Sequence, residues 1–298
     1  CCQKLGEAEA MADGGVDNIL ITYEIIGPAK IRRLMNLAKR INLMVTVDDP
    51  GNVADLSQAA QAAAVDLGIL VDVNSGQNRC GIDPGPPAVA LAQSVAKAPG
   101  LVLNGLCGYE GHLQAVTDLE DRTTRAREAM SRVTATAEAI RKEGIAVEII
   151  SAGGTGTYNI TGDYPGVTEV QAGSYVLMDA SYRKVLHDFD LAGTILSTVI
   201  SRGAPDRGVL DCGMKAMSSD QWPPLVLGFP GIEVSGISDE HLSVQLTDSD
   251  SRQLRPGDQV ELVPAHNDTT VHLHSHLFAM RSEQLETVWE VAGRGRIR

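Results

Sequence analysis

Val147-Glu148-Ile149-Ile150-Ser151-Ala152-Gly153-Gly154-Thr155-Gly156-Thr157 is the stretch that decides the fold. A short apolar run, Val147–Ile150, passes directly into small residues, glycines and hydroxyls. The same shape recurs where Thr168–Gln171 runs into Ala172-Gly173-Ser174-Tyr175. Both loops expose backbone N–H groups and small side chains, a combination that suits a phosphate. In parallel α/β barrels such a site often lies in the loops after the last two strands. The plainer alternative is that these glycines only make tight turns.

Working upstream, the chain alternates in type. Strand-like runs cover Asn18–Tyr23, Leu43–Val47, Leu67–Val73 and Leu101–Leu106. Helical patterns fall between them, over Ile31–Ile41, Ala54–Ala64, Pro86–Ala98 and Asp118–Glu143. Ile31, Leu34, Met35, Ala38 and Ile41 recur at helical spacing. Strand–helix–strand alternation predicts a parallel sheet with right-handed crossovers. Near-continuous apolar strands are what a sheet covered on both faces requires. No Gly-x-Gly-x-x-Gly follows the first strand, which favours a (β/α)8 barrel over a dinucleotide fold. Six strands are complete and Cys1-Cys2 read as the stub of another, so the barrel lacks its first strand or strands.

Downstream of about Leu191 the pattern changes. Thr194–Ser201, Gly208–Cys212, Pro224–Leu227, Leu242–Leu246, Gln259–Val263 and Thr270–His276 read as closely spaced strands. Turns such as Arg255-Pro256-Gly257-Asp258 separate them. This predicts a barrel domain over 1–190 and a mostly antiparallel β domain over 191–298.

The 298 residues are 43% hydrophobic and 21% charged, with a formal net charge of −13 at pH 7. So acidic a chain is a poor partner for nucleic acid or an anionic membrane surface. No apolar run approaches the roughly 20 residues of a membrane helix. Five cysteines without a Cys-x-x-Cys make a disulfide scaffold a poor reading and a reducing cytoplasm the simplest setting.

Three further groups carry chemistry. Asp72-Val73-Asn74-Ser75-Gly76-Gln77-Asn78-Arg79-Cys80-Gly81 ends a buried strand, and Arg79 there can hold an anionic oxygen. Gly108-Tyr109-Glu110-Gly111-His112 offers Tyr109 for ring contact and His112 for proton transfer; a packed Tyr and a satisfied His is the equal alternative. Pro264-Ala265-His266-Asn267-Asp268 sets His266 and Asp268 two apart, pointing the same way if the chain is extended. They would offer one nitrogen and one oxygen to a divalent ion, although a lone His-x-Asp is more often chance. His272, His274 and His276 would share one strand face, with an exposed edge the plainer reading.

Taken in order, these motifs resemble the fold-type III, alanine-racemase-like pyridoxal-phosphate enzymes, in the D-threonine aldolase and D-serine dehydratase branch. The resemblance implies pyridoxal 5'-phosphate as cofactor. It implies Arg79 at the phenolic oxygen, Tyr109 near the ring, and the Gly153, Gly154, Thr155, Gly173, Ser174 and Tyr175 loops at the phosphate. His266 and Asp268 would bind a divalent ion gripping the substrate's β-hydroxyl, and Asp268 favours manganese or magnesium over zinc. Arg79, Tyr109 and His112 are the catalytic candidates. The implied reaction cleaves a D-β-hydroxy-α-amino acid to glycine and an aldehyde, in a homodimer. Dehydration to a keto acid and ammonia is the alternative, and cofactor binding without catalysis a second.

The family's lysine, which carries the cofactor as a Schiff base, ends the first barrel strand. Lys4, Lys30, Lys39, Lys97, Lys142, Lys184 and Lys215 are all the lysines here, and none matches that position. The expectation is an N-terminally truncated chain, poorly stable and inactive when made alone.

Overall fold

Strand–helix alternation builds a single parallel sheet in the computed structural model, which describes residues 1–298. The chain divides into two units, Cys1–Gly173 with Gly295–Arg298, and Ser174–Arg294. The first runs α1 (Leu5–Asp13), β1 (Asn18–Glu24), α2 (Pro28–Ala38), β2 (Asn42–Val47), α3 (Pro50–Ala63) and β3 (Leu67–Asp72). It continues α4 (Pro86–Lys97), β4 (Leu101–Cys107), α5 (Leu119–Lys142), β5 (Ile149–Ala152), α6 (Tyr158–Thr161) and β6 (Glu169–Val170). The six strands pair in chain order, all parallel. Cys2 adds one parallel bridge to Ile21, where the sequence reads as a strand stub.

Sequence explains the packing. In β3, Leu67, Ile69 and Val71 are buried in the main core, with Leu34 of α2, Leu56 of α3 and Leu91 of α4. Leu70 faces the other way, into a small cluster with Leu20, Met44 and Cys107. Such two-sided burial requires the continuous apolar run seen in the sequence, and each fully buried Leu or Ile contributes about 1.5–3 kcal/mol. α5 buries Ala126, Ala129, Met130, Val133, Ala137 and Ile140 on one stripe. Asp118 caps it by accepting the Asp121 N–H at 2.8 Å. Gly105 lets β4 and β5 approach, since a Cβ there would meet the Ile149 carbonyl oxygen at 1.8 Å.

Helix starts fall earlier than apolar periodicity implies. α2 begins at Pro28 and α3 at Pro50, each with proline in the first turn, and Asp49 caps α3 through the Asn52 N–H. The strand expected at Val147–Ile150 lies at Ile149–Ala152.

The second unit contains β7 (Ile195–Ala204), β8 (Arg207–Leu210), β9 (Leu225–Val226), β10 (Ile232–Ile237), β11 (Leu242–Leu246) and β12 (Gln259–Val263). These form one antiparallel sheet in the order β10-β11-β8-β7-β12-β9. α7 (Asn267–Val271) and the hairpin of β13 (His276–Arg281) and β14 (Gln284–Glu290) follow. No helix is long and apolar enough to cross a membrane.

The strand expected over Thr270–His276 does not form. Asn267–Val271 is helical instead, because the buried Asp179 accepts the Asn267 N–H at 3.1 Å and Thr270 Oγ1 donates to the His266 carbonyl at 2.7 Å. These side-chain bonds override a local pattern that alternates like a strand. His272 therefore ends the helix, His274 Nε2 lies 2.7 Å from the Ala216 carbonyl oxygen, and His276 opens β13. The three histidines share no strand face.

Candidate active site

In a parallel sheet every strand delivers its following loop to the same edge. Here that edge gathers Glu24 from β1, Asp48 after β2, Asp72 and the Ser75–Gly81 loop after β3, Tyr109–His112 after β4, and Gly153–Thr157 after β5. The Arg79 guanidinium lies 5.6 Å from the centre of the Tyr109 ring. Ser75 Oγ donates to the Tyr109 carbonyl at 2.9 Å, binding the two loops together. Glycines seat the ring: a Cβ on Gly111 would meet Tyr109 Cε1 at 2.5 Å, and one on Gly154 would meet Cε2 at 3.1 Å. His112 stands beside Gly76, 3.5 Å from where a Cβ would be. Partial burial, Arg125 and Arg132 push the His112 imidazole below its ordinary pKa, against the opposing pull of Glu110. It is therefore neutral at neutral pH and able to accept a proton.

The glycine loop is held from beneath. Glu110 is fully buried. Its Oε1 accepts from Thr157 Oγ1 and Thr161 Oγ1, both at 2.6 Å, and its Oε2 accepts the Gly153 N–H at 3.0 Å. Gln114 Oε1 accepts the Gly156 N–H at 2.8 Å, and its Nε2 donates to Thr157 Oγ1 at 2.9 Å. The Gly154 N–H turns to Thr157 Oγ1 at 3.3 Å. The N–H groups of Gly153, Gly154 and Gly156 thus serve the loop's own interior. Thr155 is buried within the loop, and Gly173 has open space around its α-carbon.

Three carboxylates that sequence patterns leave unconnected share this edge. Burial, with the neighbouring Glu24 and Asp48, raises the Asp72 carboxyl to about 8, against the opposing pull of Arg79. Asp48 Oδ2 accepts the Gly81 N–H at 3.0 Å, fixing the loop that carries Arg79.

The second unit holds the other group. His266 precedes α7 in an extended conformation, and Asp268 falls in the helix's first turn. His266 Nε2 lies 3.8 Å from Asp268 Oδ2, so a change of backbone type, not an extended chain, brings the pair together. Its Nδ1 lies 2.5 Å from Asp220 Oδ2. Asp268 and Asp220 raise the imidazole to about 9, against burial. Burial opposes ionisation of Asp220, but hydrogen bonds from Ser218, His266 and Thr269 outweigh it and hold the carboxyl down to about 2. Ser174 Oγ is 3.5 Å from Asp268 Oδ1, and the Tyr175 ring packs 5.3 Å from that of Phe189.

The donors fit the two groups the resemblance implies in different degree. Two metal bonds of about 2.1 Å span up to about 4.2 Å, so one ion can reach both His266 Nε2 and Asp268 Oδ2 across their 3.8 Å. No cluster of three or more His, Cys, Asp or Glu side chains stands ready for a metal, so other coordination positions would fall to water or substrate. For a phosphorylated pyridine ring, Arg79, the Tyr109 ring and the open space at Gly173 fit non-covalent binding. The covalent anchor is not among these residues. Lys4 lies over the Tyr23 ring at 3.8 Å, Lys215 pairs with Glu240, and Lys30, Lys39, Lys97, Lys142 and Lys184 lie in or next to helices.

A parallel sheet flanked by helices, followed by an antiparallel sheet, is the alanine-racemase-like architecture. Residues 1–181 match the family "Alanine racemase, N-terminal domain", and residues 192–280 match "Putative serine dehydratase domain". The chain is 39% identical to the 3-hydroxy-D-aspartate aldolase of Paracoccus denitrificans (strain Pd 1222), over 99% of its own length and 78% of the relative's. It is 36% identical to the D-threonine aldolase of an Arthrobacter species, over 99% of this chain and 79% of that one. The crystal structure of D-threonine aldolase from Filomicrobium marinum superposes with a TM-score of 0.97 at 36% identity, covering all of this chain and 82% of that one. The chain belongs to the family of D-threonine and 3-hydroxy-D-aspartate aldolases, carbon–carbon lyases of the pyridoxal-phosphate fold-type III class.

Proposed function

We propose that this protein is a pyridoxal-phosphate- and divalent-metal-dependent aldolase that cleaves D-β-hydroxy-α-amino acids to glycine and an aldehyde. The observation that carries the reading is the convergence of Arg79, Tyr109 and the Gly153–Thr157 loop, with His112 after the same strand as Tyr109. In this reading the barrel domain, 1–190, binds cofactor through Arg79, Tyr109, Gly153, Gly154, Thr155, Gly173, Ser174 and Tyr175. The β domain, 191–298, holds manganese or magnesium through His266 and Asp268. Pyridoxal phosphate, when bound, supplies an electron sink for the pair left on Cα as the Cα–Cβ bond breaks.

The chain's own residues do the rest. Arg79 orients an anionic oxygen, and Tyr109 supports the ring face. His266 and Asp268 would grip the β-hydroxyl through the ion. His112, neutral at neutral pH, would serve as a proton carrier; loss of the hydroxyl's proton forms the aldehyde carbonyl as the Cα–Cβ bond breaks, and a proton delivered to Cα gives glycine. A reducing cytoplasm agrees with five free cysteines, three of them buried; a homodimer is implied by the family resemblance alone.

The match of residues 192–280 to a serine dehydratase family keeps dehydration as a second reading. Product analysis separates the two. The chain, extended at its start by a relative's strand that carries the family's lysine and loaded with pyridoxal phosphate and Mn(II), is given D-threonine and D-3-hydroxyaspartate; without that lysine it is expected to be inactive. Glycine and an aldehyde are the expected products of turnover. A keto acid with ammonia would replace this reading by dehydration, and tight cofactor binding without either product by non-catalytic binding.

A further inference from the structure

We propose that Asp220 is the positioning residue of the His266–Asp268 pair: it holds the imidazole with its proton on Nδ1 and aims Nε2 at a divalent ion. The inference rests on the metal reading of that pair. An ionised carboxylate can only accept hydrogen bonds, so the 2.5 Å contact between Asp220 Oδ2 and His266 Nδ1 places a proton on Nδ1. Deprotonation on metal binding then frees Nε2, the nitrogen that faces Asp268. Thr269 Oγ1 also approaches Nδ1, but at 3.3 Å.

Asp220 is itself fixed. Its Oδ1 accepts from Ser218 Oγ at 2.5 Å and from Thr269 Oγ1 at 2.9 Å. The Ser218 N–H donates to Thr270 Oγ1 at 3.2 Å, and Thr270 Oγ1 donates to the His266 carbonyl at 2.7 Å. The segment that carries Asp220 is thereby clamped to the turn that carries both metal donors. With Oδ2 on Nδ1 and Oδ1 holding two hydroxyls, Asp220 orients the ring from behind rather than ligating. Carboxylates behind metal-bound histidines serve in this way, and their loss typically costs about 10- to 100-fold in metal affinity.

The test is Mn(II) affinity of the full chain, read by electron paramagnetic resonance from free Mn(II), beside pyridoxal-phosphate affinity and the melting temperature. Asp220→Asn is expected to weaken Mn(II) binding by about 10- to 100-fold, with cofactor affinity unchanged. Asp220→Glu, which keeps the acceptor, is expected to recover part of the loss. Thr269→Val removes one clamp and the weaker Nδ1 contact while sparing the carboxylate, and is expected to weaken Mn(II) by about 3- to 10-fold. It carries the test alone if Asp220→Asn does not fold. Mn(II) affinity within twofold of wild type in Asp220→Asn, or in Thr269→Val where Asp220→Asn does not fold, would overturn the proposal. So would a loss in Asp220→Asn as large as in His266→Ala, which would make Asp220 a ligand. Equal Mn(II) binding by wild type and His266→Ala would sink the metal reading itself, and this proposal with it.

Discussion

Two carboxylates do comparable work in different surroundings. Glu110 is fully buried and gathers a backbone N–H and two threonine hydroxyls into the floor of the glycine loop. Asp220, its side chain 41% exposed, gathers a serine, a threonine and a histidine at the mouth of a five-residue helix. The lesson lies in what happens when each is removed. Water can replace the partners of Asp220 but cannot reach those of Glu110. Loss of Asp220 should therefore be felt by the metal, and loss of Glu110 by the fold and the cofactor together.

The largest effect follows. Glu110→Ala leaves the Gly153 N–H and the hydroxyls of Thr157 and Thr161 without their carboxylate in a dry interior. At about 1 kcal/mol or more for each unsatisfied group, the loss is about 3 kcal/mol or more. Both tryptophans, Trp222 and Trp289, belong to the second unit. Urea unfolding followed by circular dichroism should show the change, while the tryptophan fluorescence midpoint stays near wild type. Equal shifts in both would mean that the two units unfold as one and that the contrast drawn here is wrong.

Gly156→Ala tests the same loop from its other side. The new methyl would stand 2.1 Å from the Gln114 carbonyl oxygen, a backbone atom with little room to move. Overpacking of this kind costs about 1–3 kcal/mol. Pyridoxal-phosphate affinity, measured by absorbance titration, should fall while Mn(II) affinity holds. Unchanged cofactor affinity would dissociate this loop from the cofactor.

Acid and base should act on the two regions in opposite senses. Asp72 has its carboxyl raised by burial, Glu24 and Asp48 to about 8 in the folded chain, against an unfolded value of 3.8. The folded state then binds the extra proton between those values, so this contribution is full below about pH 4 and is lost as pH rises through 8. Asp220 is lowered to about 2, its hydrogen bonds outweighing burial. Its contribution is present above pH 3.8 and is lost as pH falls through about 2. Asp72→Asn should flatten the decline of the circular-dichroism midpoint between pH 4 and pH 8. An unchanged slope would assign that decline to other groups.

These contrasts also mark how far the sequence could be read. Most of the parallel strands are legible as near-continuous apolar runs, while β6, only Glu169–Val170 and partly exposed, is read from its place in the strand–helix alternation. Arg79, Tyr109, His112 and the glycine loop are legible because each directly follows such a run. Asp220 is not, since 46 residues separate it from His266 and no spacing rule links them. Glu110 stands inside a recognisable motif, yet its partners at Thr157 and Thr161 emerge only when β4 and β5 align. The alternation of histidines from His272 to His276 imitates a strand, and only a tertiary cap, Asp179 on the Asn267 N–H, makes that segment's start helical.

The smallest expected effect concerns the seam between the two loops that carry Arg79 and Tyr109. Ser75 is buried, and its hydroxyl donates to the Tyr109 carbonyl at 2.9 Å. Ser75→Ala removes one neutral hydrogen bond without leaving a charge behind, so its cost in stability is about 1 kcal/mol. The carbonyl of Tyr109 stands two residues beyond β4, and the Arg79 loop loses a tether to it. Stability should therefore change little, while pyridoxal-phosphate affinity falls by up to about tenfold, the effect of one hydrogen bond. The comparison sharpens if the cofactor senses this loss and Mn(II) does not. It breaks if Mn(II) affinity falls with it, because the metal site would then depend on a tether that belongs wholly to the first unit.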